Sequence, residues 1–496
     1  MKRSAAAAAG MCGVLAVVLV QGWTQPAARR AGGGTPIHEG RSGGAAVIVT
    51  AAPVYQSLAA LYGRERFPRG AQLMVLRDGR SEPLVAGFAS SADASVSFDG
   101  KTVLFAGKKS GTEPWQIWEM AVEGGAPRRV LAAKTDLIRP LWMPDGRMVY
   151  ARREAQGFAL ETAGLDGKGT LRLSYLPGNF VPDDVLLDGR VLFEANFPLG
   201  AEATLQPAAR SAGSQAEMFL VYADGSGVES VRCDHPDGVT QAGREHGRQI
   251  GAGSRAGNAG DIVFVQKGRL ERFISARAGE DPISAPAAEY AGDVAELPDG
   301  RWLLAARKQG AQQFAMTVWT PGESALRPIA EDARRNLVEP VVVAPRAVPN
   351  RHPTALHEWS YGNLLALDAR QSQDGTLKAA PAAVKAETMG ADGRVVALGT
   401  APVEKDGSFF VQATGDRPLR FILLDAAGNT LREEHGWFWV RRGEQRICVG
   451  CHTGPERAPE NRVPQVLLRT TTPVDLTGGA METAGGGKAA AGGRAQ

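Results

Sequence analysis

An Asp-Gly pair leading into a run of β-branched and aromatic residues recurs along the first two thirds of this 496-residue chain, and no other feature restricts its fold as much. The instances are Phe98-Asp99-Gly100, Pro144-Asp145-Gly146, Leu187-Asp188-Gly189 and Pro298-Asp299-Gly300, opening residues 101–105, 147–150, 190–193 and 301–304. Asp-Gly supplies the positive backbone φ that a tight hairpin requires. A second strand pair closes each unit, most clearly 115–120 before Glu123-Gly124-Gly125 and 219–222 before Asp224-Gly225-Ser226-Gly227. A unit of about 40 to 50 residues is the period of a four-stranded propeller blade. The expectation is therefore an all-β protein whose residues 45–345 form a six-bladed β-propeller. A β-sandwich with coincidental turns fits the near-constant spacing less well. The fifth blade is the weakest, because 234–260 reads as loop and residues 262–265 lack the turn. His246, within Arg244-Glu245-His246-Gly247-Arg248, is accordingly expected in a propeller loop.

Pro340, Pro345, Pro349 and Pro353 crowd the next stretch, too closely for a central strand or helix, so 346–356 reads as a linker. Beyond it, 364–367, 395–398, 408–411, 419–424 and 437–440 read as strands punctuated by Asp392-Gly393, Asp406-Gly407 and Ala427-Gly428-Asn429. A small antiparallel β-sandwich-like domain over 357–475 follows. Residues 476–496, rich in glycine and alanine, are expected to be disordered.

The N-terminus reads as an export signal over 1–28: Lys2 and Arg3, then an apolar stretch of small residues to Val20. Cleavage after Gly22 and cleavage near Ala28 both fit. An uncleaved anchor is the alternative, since the apolar run approaches spanning length. No integral span is expected once the signal is removed, which places the mature protein in the periplasm or outside the cell. A formal charge of only +3 gives no reason to expect a nucleic-acid partner. Cys12 lies within the signal, leaving Cys233, Cys448 and Cys451, and three cysteines do not describe a disulfide framework.

Two of those cysteines carry chemistry. Cys448-Val449-Gly450-Cys451-His452 is the attachment signature of a c-type haem. Two thiols at this spacing can form thioethers with the vinyl groups of one porphyrin, and the histidine that follows is carried under the iron as proximal ligand. One covalent haem c is expected, held by Cys448, Cys451 and His452. Three other readings compete. A thioredoxin-like pair wants a βαβ setting that is missing here. A zinc site wants a second ligand pair, for which Cys233 and His235 are only a distant offer. A disulfide across so few residues is strained. Trp437 and Trp439 share one face of the preceding strand and Phe438 takes the other, so each is a candidate haem neighbour or ordinary core. Arg441, Arg442, Arg446 and Arg457 are candidate propionate partners. His435 is the favoured distal iron ligand because it lies close in sequence, with His352 and His357 behind it. Cys233 reads as a small buried side chain.

Residues 95–120 (SVSFDGKTVLFAGKKSGTEPWQIWEM) resemble TolB-like propeller repeats. Residues 362–370 (GNLLALDAR) and 418–452, ending WFWVRRGEQRICVGCH, resemble the hydrazine synthase alpha-subunit-like family. The resemblance implies an exported subunit that joins a six-bladed propeller to a C-terminal haem domain. It equates Cys448, Cys451 and His452 with the family's C-terminal haem motif. It also implies that the catalytic haem belongs to an N-terminal domain with its own motif. No cysteine lies between Cys12 and Cys233 to attach such a haem, so hydrazine synthesis is not expected. The leading expectation is electron transfer with a redox partner protein, the propeller serving as docking platform. The alternatives are a haem enzyme acting on a small nitrogen compound or peroxide, and a propeller that binds a peptide or envelope protein. Fold alone does not rank them.

Overall fold

The computed structural model of the protein describes residues 44–77, 80–196, 216–231, 244–251, 260–275, 279–371, 377–390, 393–434, 436–450 and 462–477. All lie within one contact unit, Thr35–Gln496.

Six four-stranded sheets form the propeller, and each Asp-Gly turn joins the innermost strand of a blade to the next strand outward. In blade 2, Ser90–Val96 pairs antiparallel with Thr102–Lys108, then Gln116–Ala121 and Arg128–Leu131. Only the glycine of each pair takes positive φ: +76° at Gly100, +80° at Gly146, +88° at Gly189 and +83° at Gly300. The aspartate instead accepts the backbone N–H two residues on, as Asp99 does from Lys101 at 3.1 Å and Asp145 from Arg147 at 3.0 Å. The pair therefore works as a turn closed by a side chain, with a glycine bulge before the second strand.

Closure joins the two ends of the propeller. Asn336–Val343 is the innermost strand of blade 1 and pairs antiparallel with Ala46–Ala52, whose outer neighbours are Gln72–Arg77 and Arg80–Pro83. The fifth blade corrects the sequence reading. Arg244–Ile250 is not loop but the blade's innermost strand, and His246 is 1% exposed within it. Its polar composition hides it, because an innermost strand lines the axis, where charged groups can be buried if they pair with one another.

Each innermost strand is irregular at one place. Register shifts fall at Ala92/Ser95, Ile138/Leu141, Pro182/Asp184, Glu245/Arg248 and Ala291/Ala295, and the pairing of Asn336–Val343 breaks in the same way. Asp93, Arg139, His246 and Glu339 sit in these bulges with φ of +59°, +53°, +42° and +54°, and Gly292 with +69°. Left-handed backbone is uncommon for such residues. Recurring at one level, it turns a side chain of each bulge toward the axis.

The C-terminal domain is a sandwich around Leu364, Val384, Phe409, Val411, Phe421 and Val440. One sheet orders Val395–Pro402, Ala383–Met389, Arg417–Leu424 and Thr430–Glu433, with Phe438–Val440 also paired to the third. The other orders Gln445–Cys448, Tyr361–Ala366, Phe409–Thr414 and Val474–Asp475. Its central pair is antiparallel, whereas both edge strands join parallel. Leu476 is 2% exposed in this core, so packed chain runs past the expected boundary at 475. No helix among the described residues is long and apolar enough to cross a membrane.

Candidate functional site: the cleft at Cys448

Blade 4 holds the sandwich through the turn 222–228. Trp439 (1% exposed) and Trp437 pack on Phe180, Val191 and Val221 of the propeller, and the Trp439 indole Nε1 donates to the Gly225 carbonyl at 2.9 Å. Phe438, on the opposite face of its strand, lies against Phe421 of the sandwich core. The two tryptophans thus face the interdomain seam. Glu444 accepts the Gly227 N–H at 3.1 Å and the Arg441 N–H at 2.7 Å. Arg446 donates to the Val228 carbonyl at 2.5 Å, and Arg441 donates to the Asp224 carbonyl and to Asp416. Arg441 and Arg446 are therefore engaged in docking; Arg442 is largely exposed beside Asp416, and Arg457 lies outside the described residues.

This docking creates a cleft of about 490 Å³, within the range of small-molecule and cofactor sites. One wall is Tyr222 and Glu229 of blade 4, another is the linker at His352 and Leu356, and the floor is Ile447 to Gly450. Cys448 closes the strand Gln445–Cys448, opposite Ala366, and its carbonyl accepts the Leu367 N–H at 2.9 Å. Its thiol is unbridged. Burial pushes that thiol above its ordinary pKa, with the Arg446 guanidinium pulling the other way. A thiol held protonated is the reverse of an activated redox cysteine, whose thiolate must be favoured.

Cys451, His452, His435 and Cys233 all lie outside the described residues. Of the two secondary histidines, His352 lines the cleft and its ring lies 4.1 Å from that of Tyr222. His357 stacks on Trp359 at 4.5 Å and is not among the lining residues. Sequence reasoning missed Tyr222 and the 224–228 turn as parts of the site. No local signal marks them, because they reach Cys448 only through docking across more than 200 residues of chain. The next described residue after Gly450 is Arg462. Asp406 binds Arg462 at 2.5 Å and accepts the Gln465 N–H at 2.8 Å, and Ser408 Oγ accepts the Val466 N–H at 3.1 Å. The described chain is thus anchored up to Gly450 and again from Arg462.

Residues 363–453 match the family model described as the hydrazine synthase alpha subunit middle domain. Kuenenia stuttgartiensis hydrazine synthase is structurally similar, with a TM-score of 0.69 at 17% identity over 88% of this chain and 72% of that one. TolB from Acinetobacter baumannii aligns at a TM-score of 0.40 and 11% identity, over 60% of this chain and 66% of that one. No curated protein sequence matches significantly. The matched stretch includes Cys448, Cys451 and His452. The chain thus shares the fold of that hydrazine synthase chain, a six-bladed propeller followed by a β-domain, and residues 363–453 carry the pattern of the hydrazine synthase alpha subunit middle domain.

Proposed function

We propose that the protein is an exported redox protein that binds one haem c in the cleft between blade 4, the linker and the motif strand. The observation that carries the reading is the placement of Cys448, an unbridged and protonated thiol, on the floor of a cleft with His352 on its wall. Cys448, Cys451 and His452 would hold the group, which supplies reversible one-electron chemistry at its iron. The chain fixes the strand that carries the first thiol through Glu444 and Arg446, and Tyr222 and Ile447 offer apolar surface to a flat ring. His352 is exposed on a linker rather than locked in a strand, and so is free to turn into the cleft. It stands beside His435, which lies outside the described residues, as a candidate distal ligand.

A haem with protein ligands on both sides changes little on reduction and shuts out small molecules, as a relay to a redox partner protein requires. A second reading, an open haem acting on a small nitrogen compound, is favoured by the middle-domain match alone. Spectra of the oxidised, reduced and carbon-monoxide-treated protein separate them. The relay predicts a low-spin haem indifferent to carbon monoxide, with His352→Ala turning it high-spin and carbon-monoxide-binding. Conversion by His435→Ala instead returns the ligand to His435. Ready binding by the wild-type protein sinks the relay and leaves the enzyme.

A further inference from the structure

The axis of the propeller gathers charge far beyond what folding a blade requires. Asp93, Asp183, Glu194, Asp293 and Glu339 are all buried there. Against them stand Arg66, bound to Asp93 and Glu339, then Arg139, bound to Asp293 at 3.1 Å, and Arg248, bound to Asp293 at 2.8 Å. Five carboxylates meet three guanidiniums, which leaves two negative charges in excess, and half-buried Glu245 adds to the imbalance. Buried charge without a counter-charge is costly, so this excess has to be met by protons or by a cation.

One corner has the form of a ligand set. Asp183 and Glu194 come from adjacent strands of blade 4, His246 from the bulge of blade 5, and their ligand atoms lie within 4.8 Å of one another. His246 Nδ1 is 3.2 Å from Asp183 Oδ1 and 3.5 Å from Glu194 Oε2. Tetrahedral ligands on bonds of about 2.0–2.1 Å stand roughly 3.3 Å apart, so both separations suit a shared ion. Each carboxylate is also pre-oriented by a backbone N–H of the bulge. Glu194 Oε1 accepts from His246 N at 2.6 Å and Asp183 Oδ2 from Gly247 N at 3.2 Å, so the oxygen facing the imidazole is the other one. Such outer-shell bonds accompany metal ligands.

A single proton on Nδ1 can serve only one of the two oxygens. Asp183 Oδ1 is the nearer at 3.2 Å, and Glu194 Oε2, in a side chain 1% exposed, has no hydrogen-bond partner among the described residues. Arg139 stands 3.5 Å from Asp183 Oδ1, beyond direct hydrogen-bond reach. All six innermost strands open into a funnel of about 260 Å³, lined by Asp184 and Arg248, the close sequence neighbours of Asp183 and His246.

We infer that Asp183, Glu194 and His246 bind one divalent first-row ion, zinc or manganese, clamping blade 4, which docks the sandwich, to blade 5. One imidazole with two carboxylates fits either ion. The site is independent of the haem.

The test uses the full haem-loaded chain, dialysed against EDTA and then titrated with zinc sulfate or manganese chloride. The expected results are one equivalent of added ion per chain by elemental analysis and a raised melting temperature. Glu194→Gln and His246→Gln should each weaken binding about tenfold or more and abolish the thermal shift, while His357→Ala, remote from the axis, keeps both. If the variants fail to fold, manganese resonance on the wild-type protein decides, through nitrogen coupling from one imidazole. A wild-type chain that takes up neither ion, uptake unchanged in both variants, or bound manganese without nitrogen coupling would each overturn the inference. In the first case the excess charge is carried by protons.

Discussion

The indole of Trp439 and the carbonyl of Gly225 share a 2.9 Å hydrogen bond across the seam between sandwich and propeller, and the ring is almost fully buried. Around it, Tyr175 and Phe180 meet the ring edge-on at 6.1 and 6.3 Å. Blade 4 is thereby one wall of the cleft and the mooring of the strand that carries Cys448.

Trp439→Ala should cost about 3–5 kcal/mol, the usual range for deleting a buried large aromatic side chain. Trp439→Phe keeps most of the packing and leaves the Gly225 carbonyl without its donor, at a cost of about 1–3 kcal/mol. Denaturant unfolding gives both values. Equal costs for the two variants would show that the hydrogen bond, not the packing, holds the seam.

Cys448→Ser together with Cys451→Ser should abolish haem peroxidase staining after denaturing electrophoresis, while the propeller still melts cooperatively. Persistent stain in the double variant would contradict covalent attachment at this motif.

Asp406 links stability to acid. Burial alone would raise its carboxyl, but hydrogen bonds from Ser408 and Gln465, with Arg462, outweigh it and bring the pKa from 3.8 to about 2. A pKa lowered in the folded state stabilises above the unfolded value, and that contribution is lost as pH falls from about 4 to about 2. It is worth about 2 kcal/mol at neutral pH. Asp406→Asn should lose most of this at pH 7 and differ little from wild type near pH 2. An unchanged pH dependence in urea melts would show that Asp406 does not anchor the chain beyond the motif.

Gly189 has φ of +88°, and a Cβ there would sit 2.2 Å from the Asn350 carbonyl oxygen. Its neighbour Leu187 accepts the Asn350 N–H at 2.9 Å, holding the linker against blade 4 just before His352. Gly189→Ala should therefore cost about 1 kcal/mol or more and loosen the linker. The readout is faster proteolytic cleavage within 346–356, and unaltered cleavage would argue that the linker is held elsewhere.

Sequence alone was enough for the propeller wherever local chemistry repeats. Asp99-Gly100, Asp145-Gly146, Asp188-Gly189 and Asp299-Gly300 each close the same turn, because an aspartate that accepts from two residues on and a glycine at positive φ need nothing from distant chain. Strand 417–424 and the pattern at Cys448 were legible for the same reason. Strand Arg244–Ile250 was not, since Glu245, His246 and Arg248 read as solvated until the axis supplies their partners from blades 4 and 6. Nor could sequence decide the face of Trp437 and Trp439, which alternation left open between haem and core and which the docking turn of blade 4 claimed. His352 reached the cleft, and Asp183, Glu194 and His246 one another, through contacts between residues far apart in the chain. Such proximity follows from how blades and domains close on each other, and no local pattern of residues encodes it.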